Sequence, residues 1–228
     1  MIKIASSLAC ADHSRLGEVV KELTNAGVDL LHFDIMDGHF VENFAMSQLE
    51  MISLRSKTSL PFDLHLAIEN PTRYINLFAE AGADSISVHV ESCVSLCRLI
   101  EKIKKHGLKV SLALNPYTPL ATIEYALNDV NMVLLMTVPP GFRGQSYVPQ
   151  VLVKIKQLRK IVTERELNVD IQVDGGVYED TIAKMAEAGA NIFVVGAAIF
   201  DSTVGIRRAT ILLKDLAIKA YKKKSYQS

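Results

Sequence analysis

The stretch AGVDLLHFDIM, from Ala26 to Met36, decides the fold class because it contains a helix end, a turn and a buried strand in succession. Gly27 is expected to end a helix, since glycine adopts the left-handed C-cap conformation without steric cost. The apolar run Leu30–Met36 that follows predicts a strand. The same order returns in AGADSISVHV (residues 81–90) and AGANIFVVG (residues 188–196). This recurrence predicts a chain built from repeated strand–helix units.

Eight apolar runs of this kind follow one another, and each is followed by a segment with helical spacing. They are Ile2–Leu8, Leu30–Met36, Phe62–Ala67, Ser85–Val90, Lys109–Leu114, Met132–Val138, Asp170–Val173 and Ile192–Gly196. Apolar strands that alternate with helices predict a parallel sheet covered by helices. An open doubly wound sheet is the alternative, but no Gly-x-Gly-x-x-Gly fingerprint follows the first strand. We therefore predict a single (β/α)8 barrel, one domain over residues 1–228, with a short polar tail from about residue 222.

Composition and charge exclude several classes of protein. The chain has 228 residues, 49% of them hydrophobic, and 25 basic residues balance 25 acidic ones. A nucleic-acid-binding protein usually has a basic excess, and a membrane span needs ~18 consecutive apolar residues, so we expect neither partner. Three cysteines without a secretion signal favour reduced thiols and a cytoplasmic location.

Polar side chains occur where three of the predicted strands end, and the active site of such a barrel lies at the C-terminal ends of its strands. His32 and Asp34 share one face of the second strand, His65 lies in the third, and Asp174 ends the seventh. Two imidazoles and two carboxylates suit a divalent transition metal such as Zn, Fe, Mn or Co. The alternative is four separate hydrogen-bonded polar residues. Their common position at strand ends favours the metal site.

The same ends of the strands offer an acid/base pair and a phosphate site. Asp34 and Asp174 lie on different strands and can face a substrate from two sides, and a metal beside them would keep both ionised. The pairs Gly175-Gly176 and Gly196-Ala197 follow the last two strands, where barrels often bind phosphate through backbone N–H groups. Tight turns are the alternative there. The loop PPGFRGQ (residues 139–145) is polar and can close over a ligand.

Two chemistries that such barrels can support lack the residues they need here. No lysine stands at a strand end, so a Schiff-base mechanism has no candidate. A decarboxylase of the orotidine-phosphate type would show Asp-x-Lys-x-x-Asp, and Met36 stands where that lysine would be.

The chain resembles the ribulose-phosphate 3-epimerase family and the related allulose-6-phosphate 3-epimerases over essentially its whole length. The matching segments are IASS (4–7), HFDIMDGHFVEN (32–43), DLHL (63–66), LNP (114–116), MTVPPGF (136–142) and VDGG (173–176). The run that begins at His32 is long and specific.

The resemblance implies roles for the residues singled out above and for a few more. It implies one divalent metal held by His32, Asp34, His65 and Asp174, with Asp34 and Asp174 as catalytic acid/bases and no nucleotide cofactor. It also implies a set of substrate-binding residues, including two glycines of the loop at residues 139–145, which acts as a lid. They are Ser7, Met36, Met136, Gly141, Gly144, Gly175, Gly176, Gly196 and Ala197.

The family pattern changes at a few positions. A family methionine is replaced by Ala67, the lid carries Pro139 and Arg143, and Ala197 replaces a serine of the phosphate turn. A smaller residue at position 67 is expected to widen the pocket and to give some tolerance of a six-carbon ketose phosphate.

The reaction implied by the resemblance is inversion of C3 in a phosphorylated ketose through a metal-stabilised enediolate, interconverting D-ribulose 5-phosphate and D-xylulose 5-phosphate. This reaction belongs to the pentose phosphate pathway, and the expected assembly is a homo-oligomer. The alternatives are an allulose-6-phosphate or other hexulose-phosphate 3-epimerase, a metal-dependent barrel aldolase or isomerase, and a non-catalytic sugar-phosphate-binding barrel.

Overall fold

A computed structural model of the chain describes residues 1–225 and shows a closed barrel of eight parallel strands in sequential order. The strands are β1 (Lys3–Ser7), β2 (Leu30–Met36), β3 (Phe62–Ala67), β4 (Ser85–His89), β5 (Lys109–Leu114), β6 (Met132–Met136), β7 (Asp170–Asp174) and β8 (Ile192–Val195). The barrel closes because β1 pairs with β8, Lys3 opposite Ile192 and Ser6 opposite Val195. The prediction of a (β/α)8 barrel is confirmed.

Helices follow the strands and cover the outside of the barrel. The α-helices are α1 (Leu16–Ala26), α2 (Gln48–Arg55), α3 (Ile75–Glu80), α4 (Leu96–Lys105), α5 (Val151–Glu164), α6 (Glu179–Ala188), α7 (Ala197–Phe200) and α8 (Ile206–Ser225). Between β5 and β6 the connection is a 3-10 helix, Leu120–Asp129. Helix α8 continues to Ser225, so the tail expected from about residue 222 begins as helix, and its residues 226–228 lie outside the described part.

The glycine at the end of α1 has the conformation that the sequence predicted. Gly27 has a φ of 83° and its N–H bonds back to the carbonyls of Leu23 and Thr24, which closes the last turn of the helix. The equivalent glycines, Gly82 and Gly189, also have positive φ values, 97° and 120°. Because a residue with a Cβ is strained there, these glycines mark the points where each unit turns back toward the barrel.

Strand alternation separates the core from the site. In β2, Leu31, Phe33 and Ile35 belong to the main hydrophobic core with helix residues such as Leu23. Successive side chains of a strand point to opposite faces, so His32 and Asp34 point into the barrel. The packing that stabilises the fold therefore leaves the interior of the barrel free for polar side chains.

Within residues 1–225, no helix combines the length and the apolar character that a membrane span needs.

Candidate active site

Four side chains from three strands meet at one end of the barrel. His32 and Asp34 of β2, His65 of β3 and Asp174 of β7 each present one nitrogen or oxygen, and these atoms all lie within 4.8 Å of one another. The two histidines and Asp34 are buried, while the side chain of Asp174 is 17% exposed. The structure thus brings together the four residues that the sequence analysis selected as metal ligands.

The atoms of this cluster fit a divalent cation. The Nε2 atom of His32 is buried and has no hydrogen-bond partner in the protein. It lies 3.4 Å from Oδ1 of Asp34, which is also 3.0 Å from Nδ1 of His65. A buried polar atom without a partner is costly, and an imidazole nitrogen beside carboxylate oxygens is the donor set of zinc and related metals. The residues present therefore suit the group that the family resemblance implies.

Mutual charge perturbs the titration of these groups. Burial opposes ionisation of Asp34, but the adjacent His32 and His65 outweigh it and hold the pKa of Asp34 well below its ordinary value. Burial also opposes the charged form of His32, yet the carboxylates of Asp34 and Asp63 hold its pKa well above the ordinary value. Burial and the neighbouring Asp34 raise the pKa of Asp174 to about 6. The two carboxylates therefore differ strongly in their affinity for a proton.

A buried carboxylate below the cluster, Asp63, was missed as a functional residue by the sequence analysis. Its Oδ2 accepts hydrogen bonds from Nδ1 of His32 at 2.8 Å and from Nε2 of Gln172 at 2.6 Å, and its Oδ1 accepts one from the hydroxyl of Ser85 at 2.6 Å. Burial opposes its ionisation, but these bonds lower the pKa of Asp63. With Nδ1 of His32 donating to this carboxylate, Nε2 is the nitrogen that faces the cluster, and loss of its proton would free its lone pair for a cation.

Two further residues beside the cluster, His89 at the end of β4 and Glu91 just beyond it, were also missed. The Nε2 atom of His89 lies 2.8 Å from Nε2 of His65, and the Nδ1 atom of His89 lies 3.2 Å from Oε2 of Glu91. Their positions near the end of a predicted strand could have indicated both residues. His89 is the last residue but one of the predicted strand Ser85–Val90, and Glu91 follows two positions later.

A cavity of about 430 Å³ opens from the cluster to the surface. Of the predicted site residues, only His32 lies outside its lining, buried beneath it. The others line it: Ser7, Asp34, Met36, His65, Met136, Gly141, Gly144, Asp174, Gly175, Gly176, Gly196 and Ala197. Cys10, Asn43 and Arg143 also line the cavity. Ala67 is fully buried and does not line it, so the expected widening of the pocket at this position has no counterpart in the structure.

Two glycine turns allow the chain to approach the cavity closely. Gly175 has a φ of 102°, and a Cβ atom there would lie 2.4 Å from Cγ2 of Val138. A Cβ atom at Gly196 would lie 2.4 Å from Sγ of Cys10. Helix α7 begins directly after Gly196, at Ala197. Neither turn can carry a side chain, so bare backbone faces the cavity at both positions.

The loop over the cavity is tied down by side-chain hydrogen bonds. Nδ2 of Asn43, which follows β2, donates to the carbonyl of Gly141 at 2.6 Å. Within the loop, Nε2 of Gln145 donates to the carbonyls of Pro139 and Phe142 at 2.9 and 2.8 Å. Residues 139–145, the lid loop, therefore form an ordered cover beside the cluster.

Comparison with known proteins shows the family. The model of the Ribulose-phosphate 3 epimerase family matches residues 3–200. The ribulose-phosphate 3-epimerase of Bacillus subtilis is 46% identical, over 89% of this chain and 94% of the relative. The ribulose-phosphate 3-epimerase of Escherichia coli is 41% identical, over 87% of this chain and 88% of the relative.

Solved structures of low identity support the fold alone. KGPDC from Streptococcus mutans has a TM-score of 0.71 at 14% identity, over 97% of this chain and 100% of that chain. The 3-keto-L-gulonate-6-phosphate decarboxylase from Vibrio cholerae has a TM-score of 0.70 at 13% identity, over 96% of this chain and 99% of that chain. Barrels of this shape serve several chemistries, so the assignment depends on the sequence matches and the site. On that evidence the chain belongs to the ribulose-phosphate 3-epimerase family.

Proposed function

We propose that the chain is a metal-dependent epimerase that inverts C3 of a phosphorylated ketose, with D-ribulose 5-phosphate and D-xylulose 5-phosphate as its substrate pair. The observation that carries this proposal is the placement of Asp34 and Asp174. Both line one cavity, and their strands β2 and β7 are separated in the barrel by β1 and β8. Two carboxylates that approach from different sides supply the base and the acid that inversion at one carbon requires.

In the proposed mechanism the two aspartates alternate. One carboxylate removes the proton from C3, and the other delivers a proton to the opposite face. In the reverse reaction they exchange roles. The hydroxyl of Ser7 donates to Oδ2 of Asp34 at 2.7 Å, which orients that carboxylate. Met36 and Met136 present apolar, polarizable surface to the cavity and keep water from the reacting carbon.

The proposed metal ligands are His32, Asp34, His65 and Asp174. A divalent cation bound there supplies Lewis-acid stabilisation of the negative charge that develops on the substrate oxygens. The cluster offers both nitrogen and carboxylate donors, and this set is compatible with Zn, Fe, Mn or Co.

The phosphate of the substrate is proposed to lie against the two glycine turns. Gly175, Gly176, Gly196 and Ala197 line the cavity with little or no side chain, which suits backbone N–H groups as donors to an anion. Gly141 and Gly144 of the lid loop would close over the sugar. A homo-oligomeric state stays a prediction.

The first prediction tests the acid/base pair. We expect Asp34→Asn and Asp174→Asn each to lower kcat for ribulose 5-phosphate by at least ~10²–10⁴-fold, because the amide cannot accept the proton. Each variant should also lose deuterium exchange at C3 in heavy water for the epimer whose proton the missing carboxylate removes. The matched control is Asp129→Asn at an exposed surface ion pair with Lys104. Activity within a few-fold of the parent in either variant would contradict the mechanism.

The same assay separates the alternatives. An epimerase preserves the carbon count and incorporates deuterium, an aldolase yields shorter products, and a binding protein gives neither result. Metal analysis of protein purified without chelator, compared with His32→Ala and His65→Ala, tests the ligand set. Equal metal content in all three proteins would contradict it.

A further inference from the structure

The buried ends of β3 and β4 hold a chain of three side chains that leads from the cluster to the edge of the barrel. His65 and His89 meet Nε2 to Nε2 at 2.8 Å, with ring centroids 5.0 Å apart. Nδ1 of His89 continues the chain to Oε2 of Glu91 at 3.2 Å. Both histidines are buried, and the Glu91 side chain is 23% exposed. The mechanism above uses only the first of these three residues.

The hydrogen-bond partners of Glu91 determine which atoms donate and which accept along these three side chains. Its Oε1 accepts the backbone N–H of Asn115 at 2.8 Å and the hydroxyl of Thr118. Burial opposes ionisation, but these bonds and the one from His89 lower the pKa of Glu91 to about 2. An ionised carboxylate only accepts hydrogen bonds, so His89 must donate to it from Nδ1.

The remaining assignments follow from the chemistry of a neutral imidazole, which has one donor and one acceptor nitrogen. Since His89 donates from Nδ1, its Nε2 accepts. His65 must then donate from its own Nε2, and the lone pair of His65 is left on Nδ1. That atom lies 3.0 Å from Oδ1 of Asp34 and 3.8 Å from Oδ2 of Asp174, so a cation among these oxygens would take the lone pair in place of a hydrogen bond from Nδ1 to Asp34.

We propose that Glu91 and His89 are positioning residues that hold His65 in the Nε2–H tautomer, with the Nδ1 lone pair directed at the proposed metal site. The two ligand histidines are then oriented by different carboxylates and through opposite nitrogens. Asp63 accepts a hydrogen bond from Nδ1 of His32, so Nε2 of His32 faces the proposed metal site. Glu91 acts on His65 through His89, so Nδ1 of His65 faces that site. Outer partners of this kind fix the ring orientation of metal-binding histidines and raise their basicity.

The ring of His89 is held in place by its surroundings as well. Phe40, from the loop after β2, packs on it with ring centroids 4.7 Å apart and an interplanar angle of 44°. Glu91 is fixed in turn by residues 115–118, and Nζ of Lys154 donates to the carbonyls of Asn115 and Pro116 at 2.8 and 2.6 Å. These contacts restrict the ring and the carboxylate to one arrangement.

The inference rests on the proposed function only for the identity of the ligand, and its first test needs Zn²⁺ but no substrate. Long-range ¹H–¹⁵N correlation spectra of Zn²⁺-loaded protein labelled with ¹⁵N-histidine report the tautomer of each ring. The chain has six histidines, and His65→Asn and His89→Gln identify the two signals of interest. We expect Nε2–H for His65 and Nδ1–H for His89. An Nδ1–H tautomer of His65 would overturn the proposal whatever the enzyme's activity.

The second test measures Zn²⁺ and Co²⁺ affinity by competition with a chelator. We expect Glu91→Gln and His89→Leu to bind each ion at least ~10-fold more weakly, with altered Co²⁺ absorption. The reason is that His65 is no longer held in the Nε2–H tautomer with Nδ1 facing the metal site. His89→Gln keeps an acceptor for His65 and should recover most of the affinity. If the parent binds metal and shows the expected tautomers but does not epimerise the pentulose phosphates, the proposed function fails and this inference stands.

Thr118→Val is the matched control for a purely structural role of Glu91. It removes one hydrogen bond between Glu91 and the loop and leaves the bond to His89 in place. We expect metal affinity within about twofold of the parent. An equal loss in Thr118→Val and Glu91→Gln would show that Glu91 acts only by anchoring the loop, and unchanged affinity in Glu91→Gln and His89→Leu would equally overturn the proposal.

Discussion

At the scale of single residues, the site depends on which atom each buried side chain presents. His32 and His65 are the same residue type and both are buried, yet their surroundings leave Nε2 free in one and Nδ1 in the other. The sequence could predict that both histidines lie at strand ends, because strand alternation places them inside the barrel. It could not predict the partners Asp63 and His89, because these pairings depend on the register between neighbouring strands.

Gly175 gives the sharpest residue-scale prediction. We expect Gly175→Ala to lower the free energy of unfolding by ~2–4 kcal/mol, since it combines an unfavourable positive φ with a collision against Val138. Gly107→Ala is the control, because Gly107 has a φ of 72° but nothing within 4 Å of a Cβ atom. Gly107→Ala should lower the free energy of unfolding by only ~1 kcal/mol. Urea unfolding measures both, and equal losses would show that the close approach at Gly175 contributes nothing.

Ala67 leads to a revised prediction about the substrate. Because this side chain is fully buried and outside the cavity lining, we expect Ala67→Met to leave the ratio of kcat/KM for pentulose and hexulose phosphates within about threefold of the parent. The larger side chain should instead lower the free energy of unfolding by ~1–3 kcal/mol through overpacking. A shift of the ratio of more than tenfold toward the pentulose would restore the earlier expectation that position 67 sets specificity.

At the scale of elements, the sequence predicted the strands to within one or two residues. The differences lie at strand ends such as Thr137, whose N–H bonds to the carbonyl of Asp174 at the end of β7 and whose carbonyl accepts the N–H of Val148. Apolar composition alone does not show where pairing between strands gives way to such turn contacts. Glu91 was missed for the same reason, because it lies just beyond the end of β4, where the apolar pattern stops.

The lid loop gives an element-scale prediction. We expect Asn43→Leu to raise KM for ribulose 5-phosphate several-fold with little change in the circular dichroism spectrum, because the hydrogen bond from Asn43 to the carbonyl of Gly141 is lost. Ser53→Ala, at an exposed helix position in α2, serves as the control. If KM in Asn43→Leu stays at the parent value, this hydrogen bond does not order the lid for substrate binding.

At the scale of the whole molecule, the closed barrel follows from the repetition of one short unit, and this is why its prediction from sequence succeeded. Each unit contributes one strand and a covering helical segment, so eight units define the ring. The position of the site then follows from the strand direction.

Glu91 links the site to the acid stability of the whole fold. Its pKa is about 2 in the folded protein and ordinarily 4.5, so the unfolded chain binds more protons between these values. The stabilisation from this carboxylate is therefore present above pH 4.5 and is lost as the pH falls toward 2. We expect the difference in unfolding free energy between the metal-free parent and Glu91→Gln to shrink as the pH is lowered from 5 to 3.

Urea titrations at several pH values measure this difference, and Glu187→Gln on the exposed face of α6 is the control for the removal of a surface carboxylate. A difference that stays constant with pH would contradict the stabilising role of the ionised carboxylate.

The closure of β1 on β8 has a consequence for how the chain folds. Lys3 and Ile192 are neighbours in the barrel but are 189 residues apart in the sequence (192 − 3), and Nζ of Lys3 also reaches Asp170. Bringing such distant segments together carries the entropic cost of closing a long loop, so the ring is expected to form late and slowly. During synthesis, β1 leaves the ribosome before the other strands. It can pair with β8 only after residues 192–195 have emerged. For that interval the nascent sheet has two unpaired edges, which expose it to aggregation until the ring closes.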